Sequence, residues 1–214
     1  SDGEDAKIYE FSEGYKDFMT RCKTEREVAA FAEAKLKQAG FRKFSPGEKL
    51  SAGDRVYRVN RGKAVLAAVI GSEDIANGVD ISAAHIDSTR LDLKQHPLYE
   101  DSELALFKTH YYGGIKKYQW PAIPLCLHGV VIKSDGSAVE INIGENEGDP
   151  QFVVTDLLPH LGREQSKRPL SEGIKGEELN ILVGSRPFNN DSESEQIKLN
   201  ILNILYEKYG ITDR

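Results

Sequence analysis

Val79 to Lys94 read VDISAAHIDSTRLDLK. The opening residues, Val79 to Ala84, have the length and apolar content of a buried strand, and the stretch then presents His85-Ile86-Asp87 where such a strand would leave its sheet. Upstream, DRVYRVNRGKAVLAAVIG reads as two strands, Val56 to Asn60 and Ala64 to Ile70, joined by the tight Arg61-Gly62 connection. Ala64 to Ile70 is almost wholly apolar, the pattern of a strand covered on both faces in the middle of a helix-covered sheet, and Val79 to Ala84 repeats it after the Asn77-Gly78 loop.

Before these strands, KTEREVAAFAEAKLKQAG carries both ends of a helix. Thr24 and Glu27 have capping-box spacing, and Gly40 stands just past the last turn. Residues 1 to about 88 therefore read as the opening half of an α/β sandwich. Past Arg90 the texture changes to short alternating segments, Glu103 to Thr109, Val130 to Lys133 and Ala138 to Ile143, with Asp135-Gly136 as a hairpin turn between the last two. Glycine and charge dominate from Gly162 to Glu178, which reads as a mobile or protruding loop. A final helix is expected from about Glu193 to Tyr209, with Ile197, Ile201, Ile204 and Leu205 on one stripe and Gly210 as its stop. An α/β half with two or three strands leaves a bare edge and an uncovered apolar face, so either a partner covers it or the sequence is a fragment.

Composition narrows the class. The 214 residues are 39% hydrophobic and 29% charged, as in ordinary globular proteins, and no apolar run reaches the length of a membrane span. The N-terminal SDGEDAKIYEF lacks the regions of a signal peptide, and Cys22 and Cys126 form neither a disulfide framework nor a C-x-x-C pair; the expectation is a cytoplasmic protein with no membrane partner. A net charge of -6 without a basic block disfavours nucleic acid.

His-x-Asp at a strand end suits metal binding: an imidazole nitrogen ligates a divalent ion, and a nearby carboxylate fixes the tautomer or steers a base. In open α/β sheets, ligands collect at the carboxyl ends of strands, where His85 and Asp87 would stand. A hydrogen-bonded strand-end histidine fits the same spacing, which alone does not separate the two readings. His96, His110 and His128 show no partner spacing and read as solvated or hydrogen-bonded side chains. Glu145 to Asp149 lacks the ligand spacing of a calcium loop and reads as a flexible acidic turn. Gly113-Gly114 reads as a turn, and Trp120 with Tyr118 as aromatic packing in the β-rich region.

Five segments resemble the aspartyl aminopeptidase and vacuolar aminopeptidase I family of metallopeptidases, especially its bacterial branch. They are YEFSEGYKDFM with KTEREV, AAHIDSTRLDLK against the family's AHTDSPCLKVK, YYGGIKKYQW, LLPHLGRE, and IKLNILNILYEKYGIT, in matching order from about Ile8 to Thr212. The resemblance implies a partial helix-covered mixed sheet of an α/β metallopeptidase domain carrying an inserted β-rich dimerisation domain. On that pattern residues 1–88 are the N-terminal half of the catalytic domain, 89–192 the dimerisation and assembly insertion, and 193–214 the helix leading back to a second catalytic half that these residues lack. It further implies peptide substrates, a homo-oligomer in which dimers build a larger tetrahedral assembly, and two divalent ions per complete subunit, commonly zinc, with cobalt or manganese as substitutes.

Under this resemblance His85 matches a metal ligand and Asp87 the carboxylate acting beside it. The bridging aspartate, catalytic glutamate and other ligands would come from the complementary C-terminal half. The resemblance thus implies a metallo-aminopeptidase that removes N-terminal residues with metal-activated water, represented by an N-terminal portion; the alternative is an inactive oligomerisation or scaffold module of the same fold. The sequence also departs from the family. Thr89 replaces the proline after its HTDS, and Ala122, Ile123 and Pro124 replace its Asp-Arg-Asp, so selectivity for N-terminal Asp or Glu does not carry over. His160 matches the first histidine of the PHL stretch, but Glu164 stands where relatives place a histidine reaching the neighbouring subunit. For His160 a trans-acting role and an ordinary helix-end or interface role both remain open.

Overall fold

The capping box read at Thr24 forms. Glu27 N donates to Thr24 Oγ1 at 3.3 Å and Thr24 N donates to Glu27 Oε2 at 2.9 Å, satisfying two otherwise orphaned backbone donors. In the computed structural model, which describes residues 2–188 and 194–212, the chain divides into two units, residues 1–88 and 89–214. Thr24→Ala is expected to cost about 1 kcal/mol, read as a lower denaturation midpoint with an unchanged m-value.

The first unit holds α1 (Asp2–Arg21), α2 (Glu25–Gln38), β1 (Arg42–Lys43), β2 (Arg55–Asn60) and β3 (Ala64–Val69). The sheet order is β1-β2-β3, with β1 parallel to β2 and β2 antiparallel to β3. Arg61 and Gly62 both take positive φ, 52° and 66°, and Lys63 N closes the turn onto Asn60 O at 2.9 Å, a geometry whose twist suits a tight hairpin. Helix α2 covers β2 and β3, burying Ala29, Val56 and Tyr57, while the Tyr57 hydroxyl donates to Glu33 at 2.9 Å. Helix α1 meets α2 through Phe18 and Phe31, whose ring centroids lie 5.0 Å apart.

Two expectations fail in this unit. Strand β3 is not buried on both faces, since Leu66 stays 65% exposed and Val69 is exposed as well. Val79 to Ala84 forms no strand; the segment after the short 3-10 turn Ile75–Asn77 is irregular, and Ile81 is 81% exposed. The physical reason is one of pairing. A strand needs a neighbour for its backbone groups, and among the described residues neither this segment nor the free edge of β3 has one.

The second unit holds β4 (Arg90–Asp101), β5 (Leu104–Tyr112), β6 (Leu127–Ile132), β7 (Ala138–Ile143), β8 (Val153–Val154), β9 (Ile181–Gly184) and α3 (Gln196–Tyr209). One sheet runs β4-β5-β9-β8, all antiparallel, and β6-β7 is the hairpin expected from Asp135-Gly136. Isolated bridges Leu125↔Phe152 and Pro121↔Val154 tie the approach to β6 to the β8 region. The core joins Phe107, Ile141, Ile143, Phe152, Val154, Ile174, Leu179 and Ile181, with Trp120 packed against it as its aromatic character suggested.

Residues 162–178 are not a protruding loop. They fold into short turns and insert Ile174, followed by Leu179, into that core, and the Thr109 hydroxyl donates to the Leu179 carbonyl. Apolar anchors spaced among glycine and charge hold a segment that composition alone marks as loose. Leu179 has 0% exposure, so Leu179→Ala is expected to lower stability by about 2–5 kcal/mol, measured by urea unfolding.

Helix α3 packs on β4, β5 and β9 through Ile197 and is capped by the Glu100 carboxylate, which accepts from Ile197 N and Lys198 N, both at 2.9 Å. Of the expected stripe, Ile197 is buried, Ile201 and Leu205 are half-buried, and Ile204 is exposed. The expected start at Glu193 lies outside the described residues.

Candidate functional site

His85 and Asp87 sit on the irregular segment that follows the first unit's sheet. His85 Nδ1 lies 3.0 Å from the Asp87 backbone carbonyl and 3.3 Å from its carboxylate Oδ1. A carbonyl oxygen only accepts, so this contact requires a proton on Nδ1, and the neutral ring then carries its lone pair on Nε2. In that tautomer the ring can ligate a metal through Nε2, and a backbone carbonyl or carboxylate is the usual partner of the other ring nitrogen in such ligands. The imidazole is 85% exposed. Both the backbone carbonyl and the carboxylate of Asp87 lie on the Nδ1 side of the ring.

One imidazole and one carboxylate do not close a zinc shell. Among the described residues, no further histidine, cysteine or carboxylate joins His85 in a group of three ligand atoms. The donor set present fits zinc in kind, a neutral Nε2 with an outer carboxylate, and is short in number.

His160 belongs to the other unit. It lies on an exposed turn closed by hydrogen bonds from Leu161 N and Gly162 N to Leu158 O, each 2.9 Å, and flanked by exposed Leu157, Leu158 and Leu161.

A third constellation has no counterpart in the sequence reading. Cys126, His128 and Glu145 bring one ligand atom each to within 4.8 Å of one another. His128 Nε2 contacts Glu145 Oε1 at 2.9 Å across 17 residues of sequence. The signal was present as a Cys-x-His entry into a strand whose hairpin turn, Asp135-Gly136, fixes which residues return beside it. Glu145 to Asp149 is accordingly an ordered turn: the Asp149 carboxylate accepts from Gly144 N, Asn146 N and Asn146 Nδ2 at 3.0–3.2 Å, and those bonds hold its pKa below the ordinary aspartate value.

The resemblance placed this chain in a class of metal-dependent hydrolases. Residues 18–214 match the family described as Aminopeptidase I zinc metalloprotease (M18), and the chain belongs to that family. It is 46% identical over 211 residues to a probable M18 family aminopeptidase 1 from Clostridium acetobutylicum, covering 97% of this chain and 45% of the relative. The crystal structure of an M18 aminopeptidase from Thermotoga maritima superimposes with a TM-score of 0.89 at 46% identity, covering 97% of this chain and 45% of that one. Aminopeptidase I from Borrelia burgdorferi gives a TM-score of 0.85 at 42% identity, covering 99% and 47%. The chain thus spans less than half the length of these relatives. No helix among the described residues is long and apolar enough to cross a membrane.

Proposed function

We propose that this chain is the N-terminal portion of a cytoplasmic metallo-aminopeptidase that removes N-terminal residues from peptides, with a complementary C-terminal segment supplying the remaining active-site groups. The observation that carries the reading is His85, whose Nδ1 is committed to Asp87 and whose Nε2 is thereby the ligating nitrogen, in a family described by its zinc chemistry. In this role His85 offers Nε2 to the metal and Asp87 keeps the ring from rotating or changing tautomer. Zinc bound there supplies Lewis-acid polarisation of a peptide carbonyl and a water acidic enough to react near neutral pH. Two ions per complete subunit, with cobalt or manganese as substitutes, belong to the same proposal.

The exposed Leu66 and Val69 of β3 and the exposed Val79 and Ile81 support the need for a complementary segment, because large apolar side chains left bare beside an unpaired strand edge are what such a segment would cover. Residues 1–88 then form half of the catalytic domain, and 89–192 the insertion through which subunits dimerise toward a larger tetrahedral assembly. Exposed Leu157, Leu158 and Leu161 around His160 suit such a contact, with His160 as the group offered across it. Helix α3 lies on the sheet of the second unit. The rival, an inactive scaffold module, draws no support from an imidazole poised in its ligating tautomer.

The test mixes the chain with the corresponding C-terminal segment and assays leucyl, aspartyl and lysyl peptides. Release of free N-terminal amino acid by the pair, and by neither piece alone, is expected. Stable association without hydrolysis of any of the three favours the scaffold.

A further inference from the structure

We infer that Cys126, His128 and Glu145 form a divalent-cation site of the thiolate–imidazole–carboxylate type, which clamps the mouth of the β6-β7 hairpin. It shares no residue with the His85 pair and does not rest on the proposed peptidase function.

The hairpin register sets the geometry. His128 pairs with Asn142 and Leu127 with Ile143, so Cys126 stands opposite Gly144. Side chains two apart on a strand share a face, which puts the thiol and the imidazole on the same side. A Cβ at position 144 would lie 3.1 Å from both Cα and Cβ of Cys126, closer than most carbon contacts, and the residue has φ of +106°, which L side chains rarely adopt. Glycine therefore lets the returning chain pass close under Cys126 and swing Glu145 onto His128.

Each ligand is held from outside the cluster. Leu125 and Phe152 exchange two backbone hydrogen bonds, at 2.8 and 3.1 Å, immediately before Cys126. Ile141 and Ile143 anchor β7 in the core. Asp149 pins Gly144 and Asn146 on either side of Glu145. Rigid supports of this kind are what a preorganised site requires.

Distances and chemistry agree. In a tetrahedral zinc site, neighbouring ligand atoms are about 3.4–3.6 Å apart. The His128–Glu145 contact of 2.9 Å and the 4.8 Å limit on the whole group bracket that value, so small side-chain rotations seat the ion. The His128 side chain is 7% exposed and that of Glu145 27%, so the pair has already lost much of its water. A soft thiolate beside an imidazole selects zinc over magnesium, calcium or manganese, and water or a small anion takes the fourth position. Binding releases the Cys126 thiol proton to solvent as the sulfur–metal bond forms, and the Nε2 proton that His128 donates to Glu145 passes through solvent to Nδ1, so that the neutral imidazole offers its Nε2 lone pair to the ion.

The test titrates the full chain with cobalt(II) and follows the thiolate-to-cobalt charge-transfer absorption. One equivalent should produce the band, zinc should abolish it, and zinc should raise the melting temperature relative to metal-stripped protein. Cys126→Ser should lose the band, whereas Cys22→Ser and His85→Ala should keep it. Glu145→Gln, and His128→Gln, which keeps a hydrogen-bonding group beside Glu145, should weaken cobalt binding about tenfold or more. An absent band at excess cobalt, a band that survives Cys126→Ser, or a melting temperature indifferent to zinc would reduce the cluster to a His128–Glu145 hydrogen bond and overturn the proposal.

Discussion

His85→Ala in the assembled enzyme, this chain together with its complementary segment, is expected to lower kcat/KM by about a thousandfold or more. Lewis-acid stabilisation by a bound ion contributes several kcal/mol to the transition state, and roughly 4 kcal/mol corresponds to that factor. The loss should appear together with a loss of bound metal, because the side chain removed is the ligand. Asp87→Asn gives the contrast. Its carboxylate acts through the ring, by the 3.3 Å contact to Nδ1, so the expected loss is about 10–100-fold in metal affinity or activity. A His85→Ala enzyme that keeps its full metal content and rate would remove His85 from the site.

The second large effect concerns Val79 to Ala84. Its backbone is irregular, Val79 and Ile81 are exposed, and no strand among the described residues pairs with it, so its amides should exchange with solvent almost unprotected in the isolated chain. If the complementary segment completes the sheet, this apolar run becomes the strand its sequence describes. Exchange there should then slow by about a thousandfold, the equivalent of roughly 4 kcal/mol of local stability. Hydrogen exchange followed by mass spectrometry reads this directly. Unchanged exchange in a complex that hydrolyses peptides would mean that the catalytic half closes without this strand.

What the sequence made legible was local. The α2 cap, the Arg61-Gly62 and Asp135-Gly136 hairpins and the end of α3 at Gly210 all depend on residues a few positions apart, where backbone preference decides the outcome. What it missed needed partners far along the chain. Val79 to Ala84 has strand composition but lacks a neighbour, and residues 162–178 look loose until Ile174 and Leu179 are seen anchored under β5 and β9. Helix α1 shows the same limit: Ile8, Phe11, Tyr15 and Phe18 follow a helical spacing, but the partner that gives the helix its place, Phe31 against Phe18, lies in the next helix.

The candidate site divides in the same way. His85 and Asp87 are two residues apart, and their pairing could be anticipated from spacing and resemblance together. His128 and Glu145 are 17 apart and meet only because the hairpin register returns one chain beside the other. Reading that contact required extending the register past Gly144, where a positive φ breaks the regular alternation of faces.

The central claim is that the shell around His85 is completed by donors outside these residues. Calorimetric zinc titration of the Cys126→Ser chain, which removes the thiolate site from the count, tests it most directly when run with and without the complementary segment. The account predicts weak or undetectable binding alone and, in the complex, tight binding that His85→Ala abolishes. One tight, His85-dependent zinc on the isolated chain would contradict it.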